Sequence, residues 1–379
     1  MLTYVWSVAG CLLPFLFVLS LVVFFHELGH FLIGRWCGVK VETFSLGFGP
    51  ELYGFNDRHG THWRIAALPL GGFVKFHGDA NDALIPGETF MKTMSAQERK
   101  VSFCTQKVWK RAAIVAAGPI ANFVLAVVIY TVIFFVHGRS ILLPVVDSVA
   151  TDSAAEAAGF QPEDRIVSID GAKIDSFEDM QRIVQLASDT QLLFVIERAG
   201  KSVELVATPR RRDVATPFGT ARVGVLGVES RAKPENWHVE TYGLLESAKH
   251  AGSETWYVVA RTGSYLKGVV LGQESAEQLS GPIRIAEVSG AMAKIGVAAV
   301  LNLAAILSIS VGMLNLLPIP LLDGGHLVYY AVEAMRGKAM NERAQQFGID
   351  VGVFLLASLM FFATYNDILR LTRQLMHWG

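Results

Sequence analysis

The sequence predicts a polytopic α-helical membrane protein that also carries a β-rich segment and a separate α+β module. Of its 379 residues, 52% are hydrophobic and only 18% are charged, whereas a charged share of about 25% is usual in soluble proteins. Long uncharged runs recur along the chain, and a helix needs about 20 apolar residues to cross a bilayer core. The excess of apolar residues therefore indicates membrane spans rather than a larger soluble core.

Charge and cysteine content argue against two classes of protein. The net charge is -1, and a nucleic-acid-binding protein is expected to carry a basic face, so we expect no nucleic-acid partner. The three cysteines, Cys11, Cys37 and Cys104, have no metal-type spacing and are odd in number. That number argues against a disulfide framework.

Four segments have the length and apolarity of transmembrane helices. The first is expected to be retained, because it lacks the basic start and the small-residue cleavage site of a signal peptide. The last has a shorter uncharged centre, Val351–Tyr365, bracketed by Asp350 and Asp367. The predicted spans are 7–34, 112–136, 295–322 and 349–370.

Basic residues near the ends of the spans predict the orientation. They gather between the first two spans, so residues 35–111 are expected to be cytoplasmic and both termini to lie on the opposite side. Arg370 and Arg373 near the C-terminus oppose this assignment. The long loop 138–294 carries little weight in the rule.

The pattern changes between the spans. Residues 39–78 mix apolar positions with Gly and Pro, which is typical of hairpins with exposed edges. Residues 138–230 hold strand-like runs and a helix that Ser176 can cap, as in an α+β module. The stretch from Leu244 to Leu271 is amphipathic and fits a helix on the membrane surface as well as an ordinary soluble helix. The predicted division of the chain is 1–137 (first half of a membrane core), 138–230 (module), 231–294 (amphipathic membrane-surface helices) and 295–379 (second half of the core).

Titratable groups are concentrated at the end of the first span, in the motif HELGH that runs from His26 to His30. On a helix, these two histidines lie one turn apart on the same face. There they can bind one Zn²⁺, and Glu27 can activate a water as general base. The alternative is a pair of helix-end histidines whose polar tips reach toward water. Such groups are costly at membrane depth unless something compensates them, which favours a bound cation.

A catalytic zinc takes three protein ligands and leaves one position open, so a third ligand is needed. The third predicted span ends where Pro318 and Pro320 break the helix. Broken backbone at membrane depth is tolerated where it lines a cavity. Asp323 is the first charged residue beyond this break, and His326 follows it. Spacing does not choose between these two, and Asp323-Gly324 could also be a plain turn.

Two motifs together resemble the site-2 protease family of intramembrane zinc metalloproteases: HELGH, and N-x-x-P-x-P-x-x-D-G from Asn315 to Gly324. The likeness covers nearly the whole chain and is closest to bacterial members that regulate sigma-E. It implies that Asp323 is the third zinc ligand beside His26 and His30, and that Glu27 is catalytic. Further residues that the resemblance assigns to substrate binding are Asn315, Pro318, Pro320, Gly47, Phe48 and Gly49.

The module at 138–230 resembles a PDZ domain in Ala157-Ala158-Gly159-Phe160 and in Asp164-Arg165-Ile166. Well-known relatives carry two such domains in tandem, and this chain has room for one. Glu163 stands where a glycine is usual, which leaves open whether the module binds peptide or only gates access. The resemblance implies a bacterial inner-membrane protein with this extracytoplasmic module and both termini in the periplasm.

The resemblance implies a zinc-dependent endopeptidase that cuts single-pass membrane proteins in or near their transmembrane segments. The expected substrate is an anti-sigma factor, cut second in regulated intramembrane proteolysis, and signal-peptide remnants are a further possibility. The lipid bilayer is the other expected partner. A catalytically inactive PDZ scaffold is an alternative that the intact set His26, Glu27, His30 and Asp323 opposes. A zinc transporter is a second alternative, but no internal repeat is visible.

An unwound substrate needs new partners for its backbone, because each unpaired N–H or C=O costs several kcal/mol in lipid. An exposed strand edge could pair with it. The glycine-rich stretches 44–49 and 65–76 follow the HELGH helix directly and are the candidate edges. The alternative is that these strands form a structural cap.

Overall fold

The computed structural model describes residues 2–78, 94–216, 219–230, 237–271, 281–338 and 340–376. The chain divides into two compact units. Met1–Tyr130 and Ser280–Gly379 form a helical unit, and Thr131–Leu279 forms the second unit. In chain order the described elements are α1 (Leu2–Trp36), β1 (Val41–Asn56), β2 (His62–Phe76), α2 (Ala96–Val101), α3 (Val108–His137), β3 (Arg139–Leu142), β4 (Ser148–Val149), α4 (Ala154–Ala158), β5 (Arg165–Ile169), β6 (Ala172–Lys173), α5 (Phe177–Leu186), β7 (Leu192–Arg198), β8 (Lys201–Ala207), β9 (Arg210–Thr216), β10 (Gly219–Val225), β11 (Val228–Glu229), β12 (Trp237–Glu240), α6 (Leu244–Val270), α7 (Pro282–Ile295), α8 (Val297–Asn315), α9 (Asp323–Arg336) and α10 (Glu342–Met376).

Four described helices are long and apolar enough to cross a membrane, as predicted for a polytopic membrane protein. The third differs from its predicted bounds of 295–322, because α8 ends at Asn315 and the chain then turns. Pro318 and Pro320 follow within five residues. Proline cannot donate a helix hydrogen bond, and its ring clashes with the preceding turn of a helix. The candidate spans are Gly10–Trp36, Val108–His137, Val297–Asn315 and Arg343–Arg370.

Helix α1 packs closely on its neighbours through small residues. A Cβ atom on Gly29 would stand 2.3 Å from the carbonyl oxygen of Ala117, so glycine lets α1 and α3 approach. In the same way Gly290 of α7 lies against Cys11 of α1, where a Cβ atom would stand 2.5 Å from Sγ. Small residues at helix contacts are typical of packing in membranes. They bring α3 and α7 onto the helix that carries HELGH.

Helix α7 belongs to the helical unit, and a membrane-surface position for the helices of 231–294 stays a prediction. Its first turn is capped by Asp367 of α10, whose carboxylate accepts from the backbone N–H of Gly281 at 3.3 Å and of Arg284 at 3.1 Å. Arg370 adds an ion pair with Glu287 at 2.6 Å. A carboxylate at a helix N-terminus satisfies free N–H groups and the helix dipole.

Strands β1 and β2 form one bent antiparallel hairpin. The start of β1, Thr43–Leu46, pairs with residues 72–75 on one side and with residues 62–65 on the other. The end of β1, residues 51–56, pairs with residues 62–66. Within the described residues, 72–76 is therefore an outer edge. Phe44–Leu46 is an inner segment, which corrects the prediction that 44–49 offers a free edge throughout.

The second unit has a four-stranded sheet of order β6-β5-β7-β8. Its core is built around Ile166, Phe194 and Ile196, all fully buried. Strands β7 and β8 form a hairpin in which Arg198 pairs with Lys201. The predicted Ser176 cap of α5 is confirmed, as a capping box with Asp179. Strands β10 and β11 follow, with β10 paired to β9.

Helix α6 packs on α5 within the second unit. Arg182 pairs with Glu254 and lies 4.7 Å from the ring centroid of Tyr257, and the Tyr257 hydroxyl donates to Gln185 at 3.1 Å. Trp256, on the same helix, is exposed. One face of α6 therefore contacts protein, and its placement on a membrane surface stays a prediction.

Candidate metal centre

Three side chains from opposite ends of the sequence converge at the end of the first candidate span. His26 Nε2 lies 3.3 Å from His30 Nε2 and 3.3 Å from Asp323 Oδ2. His30 Nε2 lies 3.6 Å from Asp323 Oδ1. Each residue offers a ligand atom, and these atoms lie within 4.8 Å of one another. This is the only such group of three among the described residues.

The ring of His30 is oriented by a hydrogen bond from outside the group. Its Nδ1 lies 2.8 Å from the carbonyl oxygen of Ile114 on α3. A carbonyl oxygen only accepts, so Nδ1 carries the proton and Nε2 presents its lone pair. That lone pair faces His26 and Asp323, which is the arrangement of a metal-ligating histidine.

The convergence fits a tetrahedral zinc ion. Two ligands at about 2.1 Å from such an ion lie about 3.4 Å apart, which matches the separations of 3.3, 3.3 and 3.6 Å. Asp323 Oδ2 is buried and has no hydrogen-bond partner within the described residues. A bound cation would satisfy this oxygen. The donor set of two imidazoles and one carboxylate also suits a catalytic zinc site.

Glu27 lies beside this group, under strand β2. Its carboxylate accepts a hydrogen bond from the backbone N–H of Val74. Glu27 and Val74 line one cavity of about 280 Å³, together with all three converging residues. The cavity is large enough to hold water beside the carboxylate. The other lining residues are Gly72, Phe73, Phe76, Phe103, Ile114, Val115, Asn315, Leu321, Leu322 and His326.

The turn between α8 and α9 brings Asp323 to the histidines. Leu321 adopts φ 82°, a left-handed conformation that costs about 1–2 kcal/mol for a residue other than glycine. The next two positions have room only for glycine. A Cβ atom on Gly324 would stand 2.2 Å from Leu317 O, and one on Gly325 would stand 2.4 Å from Ile319 O. The two glycines after Asp323 are thus required by a tight chain reversal.

His326, the alternative third ligand, lines the same cavity but is not in the group of three. Burial lowers its pKa, with the Asp323 carboxylate opposing and His30 reinforcing the shift. The imidazole is therefore neutral at pH 7. Its ring lies 6.0 Å from that of Tyr329 in an edge-on contact.

The residues predicted to bind substrate are only partly brought to the cavity. Asn315 lines it, at the C-terminal end of α8. Pro318 and Pro320 lie in the turn that follows and are not among the lining residues. Gly47–Gly49 lie on β1, and the ring of Phe48 stacks on that of Phe73, 6.2 Å away, which does line the cavity.

Sequence reasoning gave no role to α3, which contacts both histidine rings. A Cβ atom on Gly118 would stand 2.3 Å from His30 Nε2 and 2.8 Å from His26 Cε1, so glycine makes room for the rings. Asn122, fully buried, contacts His26. A polar amide within a long apolar run was the available signal. The sequence gives no signal for the role of the Ile114 carbonyl oxygen, because every residue carries a backbone carbonyl.

The chain is similar to known proteins over most of its length. The sequence model described as "Peptidase family M50" matches residues 14–359. A Rhizobium meliloti protein named "Putative zinc metalloprotease R01501" is 48% identical over 355 residues, covering 93% of this chain and 95% of the relative. A similarly named Agrobacterium fabrum protein is 46% identical, covering 95% and 96%. The "Metalloprotease MmpA" of Caulobacter vibrioides is 38% identical, covering 95% of each chain.

Proposed function

Because this chain belongs to peptidase family M50 and is a zinc-dependent metalloprotease, we propose that it hydrolyses peptide bonds in or near the transmembrane segments of other membrane proteins. The observation that carries this proposal is the convergence of His26, His30 and Asp323 beside Glu27, at the end of an apolar helix. Titratable groups kept at that position serve a substrate that reaches them from the bilayer.

In this proposal His26, His30 and Asp323 hold the zinc ion. A zinc ion bound there would polarise a substrate carbonyl and lower the pKa of a water molecule. The carbonyl oxygen of Ile114 keeps the proton of His30 on Nδ1, so the other ring nitrogen stays available as a ligand. All three side chains are mostly buried, with 12%, 12% and 16% exposed, which limits competing solvent.

Glu27 is the general base and then the general acid. Its carboxylate takes a proton from the attacking water and delivers it to the nitrogen of the leaving amine. The hydrogen bond from Val74 fixes the carboxylate beside the cavity. Asn315 lines the same cavity, and we assign its amide to holding the substrate backbone next to the scissile bond.

The free edge of β2 is the surface on which the unwound substrate pairs. Residues 72–76 pair with β1 on one side only within the described chain, and Gly72, Phe73 and Val74 line the cavity. A substrate segment added as a further strand would keep its N–H and C=O groups hydrogen-bonded. Because Val74 contacts Glu27, that segment would lie beside the base. In this scheme the segment Gly47–Gly49 contributes to substrate binding indirectly, because the ring of Phe48 stacks on that of Phe73.

The substrates we propose are single-pass membrane proteins, such as an anti-sigma factor or signal-peptide remnants. A cavity of about 280 Å³ admits an extended segment and excludes a folded domain. We assign residues 138–230 as a PDZ-like module that gates access on the periplasmic side. The chain lies in a bacterial inner membrane in this scheme, with both termini periplasmic and residues 35–111 cytoplasmic, as the basic residues predict.

Reconstituted full-length protein tests this proposal. A labelled single-pass substrate in the same liposomes should be cut, the cut should stop with chelator, and added Zn²⁺ should restore it. Glu27→Gln should keep bound zinc and lose cleavage, whereas the exposed Glu204→Gln should behave like the wild type. Cleavage by Glu27→Gln would remove Glu27 from its role. Zinc flux across the liposome without cleavage would favour a transporter, and stable zinc binding without cleavage would favour a scaffold.

A further inference from the structure

Asn122 of α3 is a buried amide that contacts a proposed zinc ligand. Its side chain is fully buried, and its amide lies 3.2 Å from His26 Nδ1. This is the ring nitrogen on the far side from His30 and Asp323, both of which approach Nε2. Asn122 therefore holds the outer edge of the His26 ring and does not reach the cavity lining.

The amide has two orientations, and each matches one tautomer of His26. With Nδ2 toward the ring, His26 Nδ1 accepts and the proton sits on Nε2, where it would block a metal. In this orientation Asn122 Oδ1 is buried with no partner within the described residues. A half-turn of the amide places Oδ1 where it accepts from Nδ1–H. The lone pair of Nε2 then faces His30 and Asp323.

Helix α3 presents a matched pair of acceptors to the two rings. Ile114, Gly118 and Asn122 follow one another at intervals of four residues, so they share one face of the helix. The carbonyl oxygen of Ile114 accepts a hydrogen bond from His30 Nδ1, and the amide of Asn122 contacts His26 Nδ1. Gly118, between them, leaves the space that the rings occupy.

The backbone of Asn122 makes a separate contact with α8. The buried hydroxyl of Ser308 donates to the backbone carbonyl oxygen of Asn122 at 2.8 Å. A Cβ atom on Gly312, one turn further along α8, would stand 3.2 Å from the carbonyl oxygen of Pro119. The amide is thus carried on a backbone that contacts both α1 and α8.

We propose that Asn122 is a positioning residue of the metal centre: its Oδ1 accepts from His26 Nδ1–H and thereby fixes the tautomer and the orientation of that ligand. The inference rests on the proposed function, because it takes His26 as a zinc ligand. Partners of this kind raise the basicity of a ligating histidine, and their loss commonly weakens metal binding by about 10- to 100-fold.

Zinc affinity of the purified full-length protein, measured by competition with a chelator, is the direct test. Asn122→Leu keeps the shape but has no acceptor, and it should bind zinc about 10- to 100-fold more weakly. Asn122→Asp keeps an acceptor and should stay near the wild-type affinity. Ser308→Ala loosens the same helix contact without touching His26 and should also stay near the wild type. The Co²⁺ absorption spectrum should change in Asn122→Leu alone.

Unchanged zinc affinity and Co²⁺ spectrum in Asn122→Leu would overturn the inference. So would equal weakening in Ser308→Ala, since the effect would then come from packing. If Asn122→Leu does not fold, Asn122→Ala replaces it, with the same two outcomes. His26→Ala separates the two hypotheses: retained zinc in that variant contradicts the proposed function, whereas zinc loss there with normal affinity in Asn122→Leu contradicts only the role of Asn122.

Discussion

Gly72 of β2 lies directly against Glu27 of α1. A Cβ atom on Gly72 would stand 3.1 Å from Glu27 Cγ, 2.8 Å from the carbonyl oxygen of Ser45 and 2.9 Å from Val23 Cγ1. The backbone of Ser45 cannot yield without moving β1. Only a residue without a side chain lets the strand pass this close to the proposed base.

Gly72→Ala should therefore reduce cleavage while zinc stays bound. The added methyl group pushes the strand away from Glu27, and a displacement of about 1 Å at a reacting centre can cost about 100-fold in rate. Cleavage of a reconstituted substrate and metal content by elemental analysis measure the two effects. Gly10→Ala is the matched control, because among the described residues no atom outside its own helix lies within 4 Å of its Cβ position. Full activity of Gly72→Ala would contradict the close approach.

Asp323→Ala should lower the bound zinc to a small fraction of the wild-type content. The variant loses one of the three proposed ligands and leaves two imidazoles that form an incomplete site. His326→Ala should keep zinc, since that ring lines the cavity without joining the group of three. Elemental analysis after gel filtration gives both contents. Zinc retained in Asp323→Ala and lost in His326→Ala would exchange the two assignments.

Gly118→Ala should weaken zinc binding and leave α3 intact. Alanine has a higher helix propensity than glycine, but its methyl group would overlap the rings of His30 and His26. Displaced rings cannot keep the ligand separations that fit one ion. Chelator competition measures the affinity, and helix content by circular dichroism should match the wild type. Wild-type zinc affinity in this variant would show that the two rings can move aside without losing the binding geometry.

Acid should loosen the turn between β1 and β2 at Asp57. Partial burial acts to raise the pKa of this carboxyl, but hydrogen bonds from Thr61, Trp63 and His59 and from the Arg35 guanidinium hold it below its usual range. Its contribution to stability is therefore complete above the unfolded pKa of about 3.9 and is lost as pH falls through the folded value.

Hydrogen exchange of the hairpin amides between pH 2 and 6 measures this loss, after correction for intrinsic rates. In the wild type, protection of residues 57–61 should fall below about pH 4. In Asp57→Asn protection should be weak at every pH, because the amide lacks the charge that the guanidinium and the N–H groups stabilise. Equal profiles for the two proteins would remove Asp57 from this role.

Glu163→Gly should stabilise the second unit. Glu163 adopts φ 73°, in the left-handed region where a residue other than glycine pays about 1–2 kcal/mol. Greater freedom of glycine in the unfolded chain offsets part of this gain. Proteolysis of the second unit in the full-length protein should become slower by a few-fold. Faster proteolysis of the variant would mean that the carboxylate makes a stabilising contact.

Sequence reasoning reached the local part of the metal centre. Histidines one turn apart follow from helical periodicity, so His26 and His30 could be paired without a structure. Asp323 is almost the whole chain away, and spacing left it equal to His326 until the family resemblance chose between them. Asn122 went unassigned because its partner is a ring edge on another helix, and no local pattern encodes that contact.

In the fold too, local features could be predicted from the sequence, whereas long-range pairing could not. Apolar runs located the four long helices, but apolarity continues past Asn315, so the third span was drawn too long. The prolines were recognised as breaks, yet only the structure shows that the helix ends before them. The hairpin was predicted from Gly and Pro, whereas its bend depends on how two long strands pair. That pairing decides which edge is free, and it made 72–76 rather than 44–46 the outer segment.

The helical unit is interrupted in sequence by the whole of the second unit, Thr131–Leu279. His26 and His30 therefore leave the ribosome long before Asp323 exists. Until the third ligand is synthesised and inserted, a growing chain holds only two of the three and cannot complete the site. In the function we propose, peptide hydrolysis therefore begins only after Asp323 and the helices around it are in place.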